Sequence, residues 1–213
     1  MRMIERHLVI QALRGLLVAV LFAVSSGSAT ATASETTSNF VKSLGDRAIQ
    51  VLTVKDITPD ERANRFRRLL RESFDVERIA RFVLGRYARG AAADAIKEYN
   101  QLFKDLIVVT YASRFAQYSG QSFTIKRATE PTPRGDSIVL SEIVATDGSP
   151  PIRVDWQVSS TKGRNRIVDV RVEGVSMSVT QREEFSTVIR QNGGDINALL
   201  SALRKKTASL NSK

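Results

Sequence analysis

The period of the apolar residues changes once along this chain, near residue 120, and that change restricts the fold more than any other feature. Before it, apolar residues recur at three- and four-residue steps. Phe40, Val41, Leu44, Ala48, Val51 and Leu52 predict an amphipathic helix reaching about Val54. Thr58-Pro59-Asp60-Glu61 reads as a helix start: Thr58 caps, Pro59 suits the first helical position, and Glu61 completes a capping box. That helix runs to about Phe74 with Phe66, Leu69 and Leu70 on one face. Asp75 then opens a short helix carrying Val76, Ile79, Phe82 and Val83, which Gly85 stops. Ile96, Tyr99, Leu102, Phe103, Leu106, Val109, Phe115 and Tyr118 predict one long helix from about Ala92 to Tyr118. At 1.5 Å per residue this is a rod of about 38 Å.

Beyond residue 120 the period is two. Phe123 to Ile125 and Ser137 to Thr146 predict strands. Ile152, Val154, Trp156 and Val158 alternate with Arg153, Asp155, Gln157 and Ser159, and Val168, Val170 and Val172 alternate with Asp169, Arg171 and Glu173. Gly135, Gly148 and Gly163 punctuate these runs. Helices at Thr180 to Gln191 and Asp195 to Lys206 close the chain, separated by Asn192-Gly193-Gly194. The prediction is an α+β fold: N-terminal helices, a four-stranded antiparallel meander with one packed face, and C-terminal helices.

The available side chains exclude most chemistry. There is no cysteine, and the single histidine is His7, so thiolate sites, disulfides and the usual nucleophile–base pairs are absent from the globular part. No phosphate-binding loop, dinucleotide fingerprint or nucleophile elbow occurs. Asp155 and Asp169 fall on the polar strand face and read as solvated charges. Ser176 and Thr180 have no histidine to activate them. The chain is read as a non-enzyme without a cofactor or metal.

Arg2, Arg6 and Arg14 precede the apolar run Gly15 to Val24, and small residues then lead to Ala31-Thr32-Ala33. This is the anatomy of a secretory signal peptide, residues 1–33, with cleavage after Ala33. What remains is a single domain, 34–208, and a polar tail, 209–213. The formal charge of +10 falls to +8 when Arg2, Arg6, Arg14 and Glu5 leave. Export argues against nucleic acid as the partner of that charge. Nine arginines lie between Arg62 and Arg89. Most read as solvated helix faces; the sharper reading is a basic docking surface for anionic lipid or an acidic protein.

Three stretches carry a family resemblance: FDVERIARFVLGRY (74–87), TYASRFAQYSGQSF (110–123), and VDWQV (154–158) together with VDVRVEGVSMSVTQREEFSTVIRQNGG (168–194). They resemble the MlaC, or toluene-tolerance, family of periplasmic phospholipid carriers of the Mla lipid-transport system. One departure is Ala88, where the family pattern continues Leu-Gly-Arg-Tyr with Trp. The resemblance implies a monomeric periplasmic carrier that holds phospholipid tails in an apolar cavity between sheet and helices. Its implied partners are an inner-membrane ABC transporter with a ring-shaped lipid-binding subunit and an outer-membrane lipoprotein complex. A hopanoid-type lipid is an alternative cargo, and an adaptor that docks through its arginines without a cavity is an alternative function.

Carried over by motif match and inward phase, the expected wall residues are Phe82, Val83, Leu84, Leu102, Leu106, Val109, Phe115, Val154, Trp156, Val170, Val172, Val175 and Met177. Arg78, Arg81, Arg86 and Tyr87 are expected at the pocket mouth or docking surface. Two 16-carbon tails represent about 24 kcal/mol of gross hydrophobic transfer at ~0.8 kcal/mol per CH₂. A carrier must recover most of this from its own apolar walls.

Overall fold

The computed structural model describes residues 32–211, so all of the expected leader except Thr32 and Ala33 lies outside the described residues. The first helix, α1 (Ala33–Leu52), starts earlier than the apolar period predicts. Residues 34–39 carry no large apolar side chain, and the start is set instead by Thr32, whose hydroxyl accepts from the Glu35 amide. The cap expected at Thr58 is present: its hydroxyl accepts from the Glu61 amide at 3.1 Å and opens α2 (Pro59–Ser73). Asp75 likewise caps α3 (Val76–Leu84), which ends at Gly85 with φ +58°.

The expected single rod is divided. A regular α4 (Ala93–Tyr111) is followed by a tighter 3₁₀ segment, Ala112–Gln117. The break follows four consecutive β-branched residues, Ile107, Val108, Val109 and Thr110, which weaken an α-helix through restricted χ1. The closing helices are α5 (Met177–Gln191) and α6 (Ile196–Asn211), the latter extending past Lys206. Among the described residues, no helix is long and apolar enough to cross a membrane.

The sheet is an antiparallel meander, as expected, with five strands rather than four: β1 (Ser122–Ala128), β2 (Asp136–Val144), β3 (Ile152–Thr161), β4 (Arg164–Val172) and β5 (Val175–Ser176). The added strand arises at Glu173-Gly174. Both residues have positive φ, so the chain reverses in two residues and Val175 pairs with Val172.

A second departure concerns β4. Its register with β3 slips after Gln157, so that Trp156 faces Val170 but Val158 faces Ile167, leaving Val168 as the additional residue of a bulge. Strict alternation of Val168, Val170 and Val172 therefore fails. Asp169 is also buried rather than solvated: it accepts from the Ser176 hydroxyl at 2.7 Å and from the Ser178 amide at 3.1 Å, fixing the start of α5.

Two apolar clusters result. The sheet-side cluster centres on Val41 and Leu44 of α1, Leu69 of α2, and Val139, Val158 and Ile167 of the strands. The helix-side cluster joins α3, α4, α5 and α6 around Val83, Tyr99, Phe103, Phe185 and Leu199. Within it the Tyr99 hydroxyl donates to the Ala80 carbonyl at 3.0 Å, and burial holds its pKa far above the ordinary tyrosine range.

Arginines close the helix ends. The last turn of α1 contains no basic residue, so its carbonyls need outside donors. Arg62 is buried, at 6% exposure, and donates to the Leu52 carbonyl and to Val54 O at 3.1 Å; Arg65 donates to Val51 O at 3.1 Å. Arg166 of β4 donates to the carbonyls of Arg71 and Glu72 at the end of α2. Arg62→Ala is expected to lower unfolding stability by about 3 kcal/mol, because it strands buried carbonyls that a charged donor had satisfied. Arg68→Ala, at an exposed position with no ion pair among the described residues, is expected to stay within about 0.5 kcal/mol of the parent in the same urea titration.

Candidate functional site

Along β2, Ser137, Val139 and Ser141 point to one face, and along β3 Val154, Trp156 and Val158 point the same way. This inner face is where α1, α2 and the 3₁₀ segment meet the sheet. Six aromatic side chains gather at the seam: Phe40 of α1, Phe66 of α2, Phe74 just beyond it, Phe115 of the 3₁₀ segment, Phe123 of β1 and Trp156 of β3. Five of the chain's nine phenylalanines and its only tryptophan are thus in one place. All six remain partly exposed, whereas Val139, Val158 and Ile167 beneath them are fully buried.

Two pairs of these rings are in contact. Phe66 and Phe115 lie 5.9 Å apart, and Phe123 meets Trp156 edge to face at 6.0 Å. Phe66 and Phe74 also touch the helix-side cluster and so bridge the two apolar regions. The indole N–H of Trp156 donates to Ser141 Oγ at 2.9 Å, and that hydroxyl donates to Val154 O at 2.6 Å. The polar capacity of the tryptophan is consumed internally, and what it presents to the seam is ring surface. On the same face the Ser137 hydroxyl is buried without a hydrogen-bond partner.

Helix α1 crosses β1 at close range. A Cβ on Gly45 would lie 2.5 Å from Phe123 Cδ1, so the absent side chain lets that ring rest against the helix backbone.

Of the expected wall residues, the structure brings Phe115, Trp156 and Val170 together at the seam, with Val154 buried on the same face of β3. Others lie elsewhere. Val83, Leu84 and Leu106 are buried in the helix-side cluster and Leu102 packs against it, because the inward faces of α3 and α4 meet α5 and α6 rather than the sheet. Phe82 is 42% exposed and Val175 is 53% exposed. Val109, Val172 and Met177 are half-buried and belong to neither cluster, Met177 as the first residue of α5. The seam residues that were not singled out, Phe40, Phe66, Phe74 and Phe123, all sat at visible apolar positions. Period alone does not tell which apolar stripe faces which element.

The expected mouth residues are likewise dispersed. Arg78 donates to Ser159 Oγ at 2.9 Å and pairs with Asp136 at 3.4 Å, and Gln157 also donates to Asp136. Asp136, Gln157 and Ser159 alternate with the seam residues, so Arg78 is tied to the opposite face of the sheet. Arg81 borders a depression of about 280 Å³ between α3 and α4, with Ala88, Ile96 and Tyr99. Ala88, the departure from the family pattern, is therefore at a helical edge away from the seam. Arg86 lies 5.2 Å over the Tyr87 ring beside a depression of about 470 Å³ reaching the start of α6. A third depression, of about 360 Å³, separates α3 from α5. None of the three is lined by a seam residue. Among the described residues no three His, Cys, Asp or Glu side chains converge on a common point.

The family model for the MlaC protein matches residues 42–205. The toluene tolerance protein ttg2D of Pseudomonas putida is 21% identical to this chain over 131 residues. That match covers 61% of this chain, which spans about three fifths (60%) of the relative's length. A phospholipid-binding protein of Ralstonia solanacearum, solved in complex with a phospholipid, superposes with a TM-score of 0.70 at 23% identity. The superposition covers 82% of this chain and 98% of that one, so the two share a fold.

Gly45→Ala is expected to displace the Phe123 ring and to destabilise the protein by about 1–2 kcal/mol, overpacking exceeding the gain in helix propensity. In a Phe123→Ala background the same change is expected to reverse sign and stabilise by up to about 1 kcal/mol. Denaturant titration followed by Trp156 fluorescence measures both.

Proposed function

The chain belongs to the MlaC family, and on that premise we propose that it is a phospholipid carrier whose aromatic seam receives the acyl tails. The observation that carries the reading is the set of six partly exposed aromatic side chains between sheet and helices. A single partly exposed ring is ordinary; six gathered together leave a contiguous apolar surface at the line where two layers meet. The Ralstonia structure holds a phospholipid on the same fold, which supports a lipid as the ligand.

The physical task is to replace the contacts that two tails have in a bilayer, about 24 kcal/mol of gross transfer. Rings and β-branched side chains supply wide apolar walls at small entropic cost. With the indole N–H already bonded to Ser141, the wall discriminates tail shape rather than headgroup chemistry. Tails enter by parting α1 and the 3₁₀ segment from the strands, the seam forming the partly exposed margin of the sheet-side cluster. The headgroup stays at the protein surface.

No step of bond making or breaking belongs to this reading: the protein is a periplasmic carrier, passing lipid between an outer-membrane lipoprotein complex and an inner-membrane ABC transporter. The family's transport role and the leader-like residues 1–33 support that placement.

Native mass spectrometry of the protein purified without detergent is expected to show a species heavier by one or two phospholipids that is released on denaturation. A bare mass that also fails to load from liposomes contradicts the proposal. Trp156→Glu is expected to abolish co-purified lipid while the far-ultraviolet circular dichroism stays native, and unfolding instead would assign Trp156 to the core.

A further inference from the structure

We propose that the α3–α5 face is a membrane-docking surface for anionic phospholipid bilayers, with Phe82 and Val179 entering the headgroup layer and the surrounding arginines pairing with phosphates. Phe82 and Val179 are each 42% exposed and border one groove of about 360 Å³, together with Arg182, Glu183 and Arg190. The Arg182 guanidinium carbon lies 5.0 Å over the Phe82 ring. Its position depends on Gly85, where a Cβ would come within 3.2 Å of that guanidinium.

The arrangement places charge and apolar surface one layer apart. A ring that sinks to the boundary between headgroups and acyl chains, about 5–10 Å deep, leaves a guanidinium stacked above it at phosphate level. Arg182 and Arg190, the two arginines of the groove lining, take part in no ion pair among the described residues, so their charges are available to an external anion. Glu183 is the single acidic side chain in the groove lining. A bilayer suits this surface better than an acidic protein: fluid phosphates match guanidinium groups that no carboxylate holds, and an exposed Phe flanked by arginines is an interfacial pattern.

This face is separate from the seam, so the two readings are tested apart: vesicle binding reports docking, and co-purified lipid reports the tail site. The protein is pelleted with phosphatidylglycerol-rich vesicles and with pure phosphatidylcholine vesicles at low and at high salt. Binding to the anionic vesicles alone, weakened by salt, is expected. Arg182→Gln is expected to reduce it about fivefold, the effect of one surface arginine, and Phe82→Ser is expected to reduce it further without loss of co-purified lipid. A control pair, Arg127→Gln with Arg134→Gln, removes two exposed charges elsewhere and is expected to leave more binding than Arg182→Gln alone. The inference is overturned by equal binding to neutral vesicles, by a control pair as damaging as Arg182→Gln and Phe82→Ser, or by absence of vesicle binding. Retention on a polyglutamate resin without vesicle binding would overturn it in favour of an acidic protein partner.

Discussion

The inner face of the meander must be covered, and the structure covers it with a helix held from outside the sheet. Val139, Val158 and Ile167 cannot remain in water, and α1 is the element laid over β1 and β2. At its end α1 is held both by Leu52, which is fully buried, and by Arg62 and Arg65, which reach back from α2 to the carbonyls there. The cover is thus clamped at one end by charge-assisted hydrogen bonds and packed along its length through Val41 and Leu44 as well as through ring contacts. The helix-side cluster, where α4 packs on α6, meets this region at Phe66 and Phe74. In the proposed function one layer interface serves the ligand while the other supplies stability.

The arginines divide by the same logic. Arg62, Arg65 and Arg166 complete helix ends, and Arg78 joins α3 to the far face of the sheet. Arg81, Arg86 and Arg182 instead edge the helical surface beside Phe82 and Tyr87. A high positive charge in the sequence therefore represents at least two physical roles, and only the partner carbonyls or their absence separate them.

The sequence was legible where local chemistry decides. The caps at Thr58 and Asp75, the stop at Gly85 and the alternation of β3 all follow from residue type at fixed spacing. It was less legible where a register or a tertiary partner decides. The bulge at Val168 and the strand made by Glu173-Gly174 depend on backbone pairing that alternation does not encode. Asp169 looked solvated because its neighbours alternate, yet it caps α5 from within. The site shows the same boundary. Trp156, Val170 and Phe115 were visible as inward residues, but Val83 and Leu106 have the same periodic signature and face other helices. The resemblance to a family pointed to the task; only the packing of elements shows which inward residues share the face proposed as the wall.

The most direct test uses the single tryptophan. Trp156 is the only indole in the chain and sits at the centre of the proposed tail site, in contact with Phe123. The protein is loaded with phospholipid brominated along its acyl chains, stoichiometry is fixed by native mass spectrometry, and Trp156 fluorescence is compared with that of protein loaded with the unbrominated lipid. Strong quenching in the brominated complex is the result this account predicts, since bromine acts only near contact. Stoichiometric binding with unchanged fluorescence would place the tails elsewhere and contradict it.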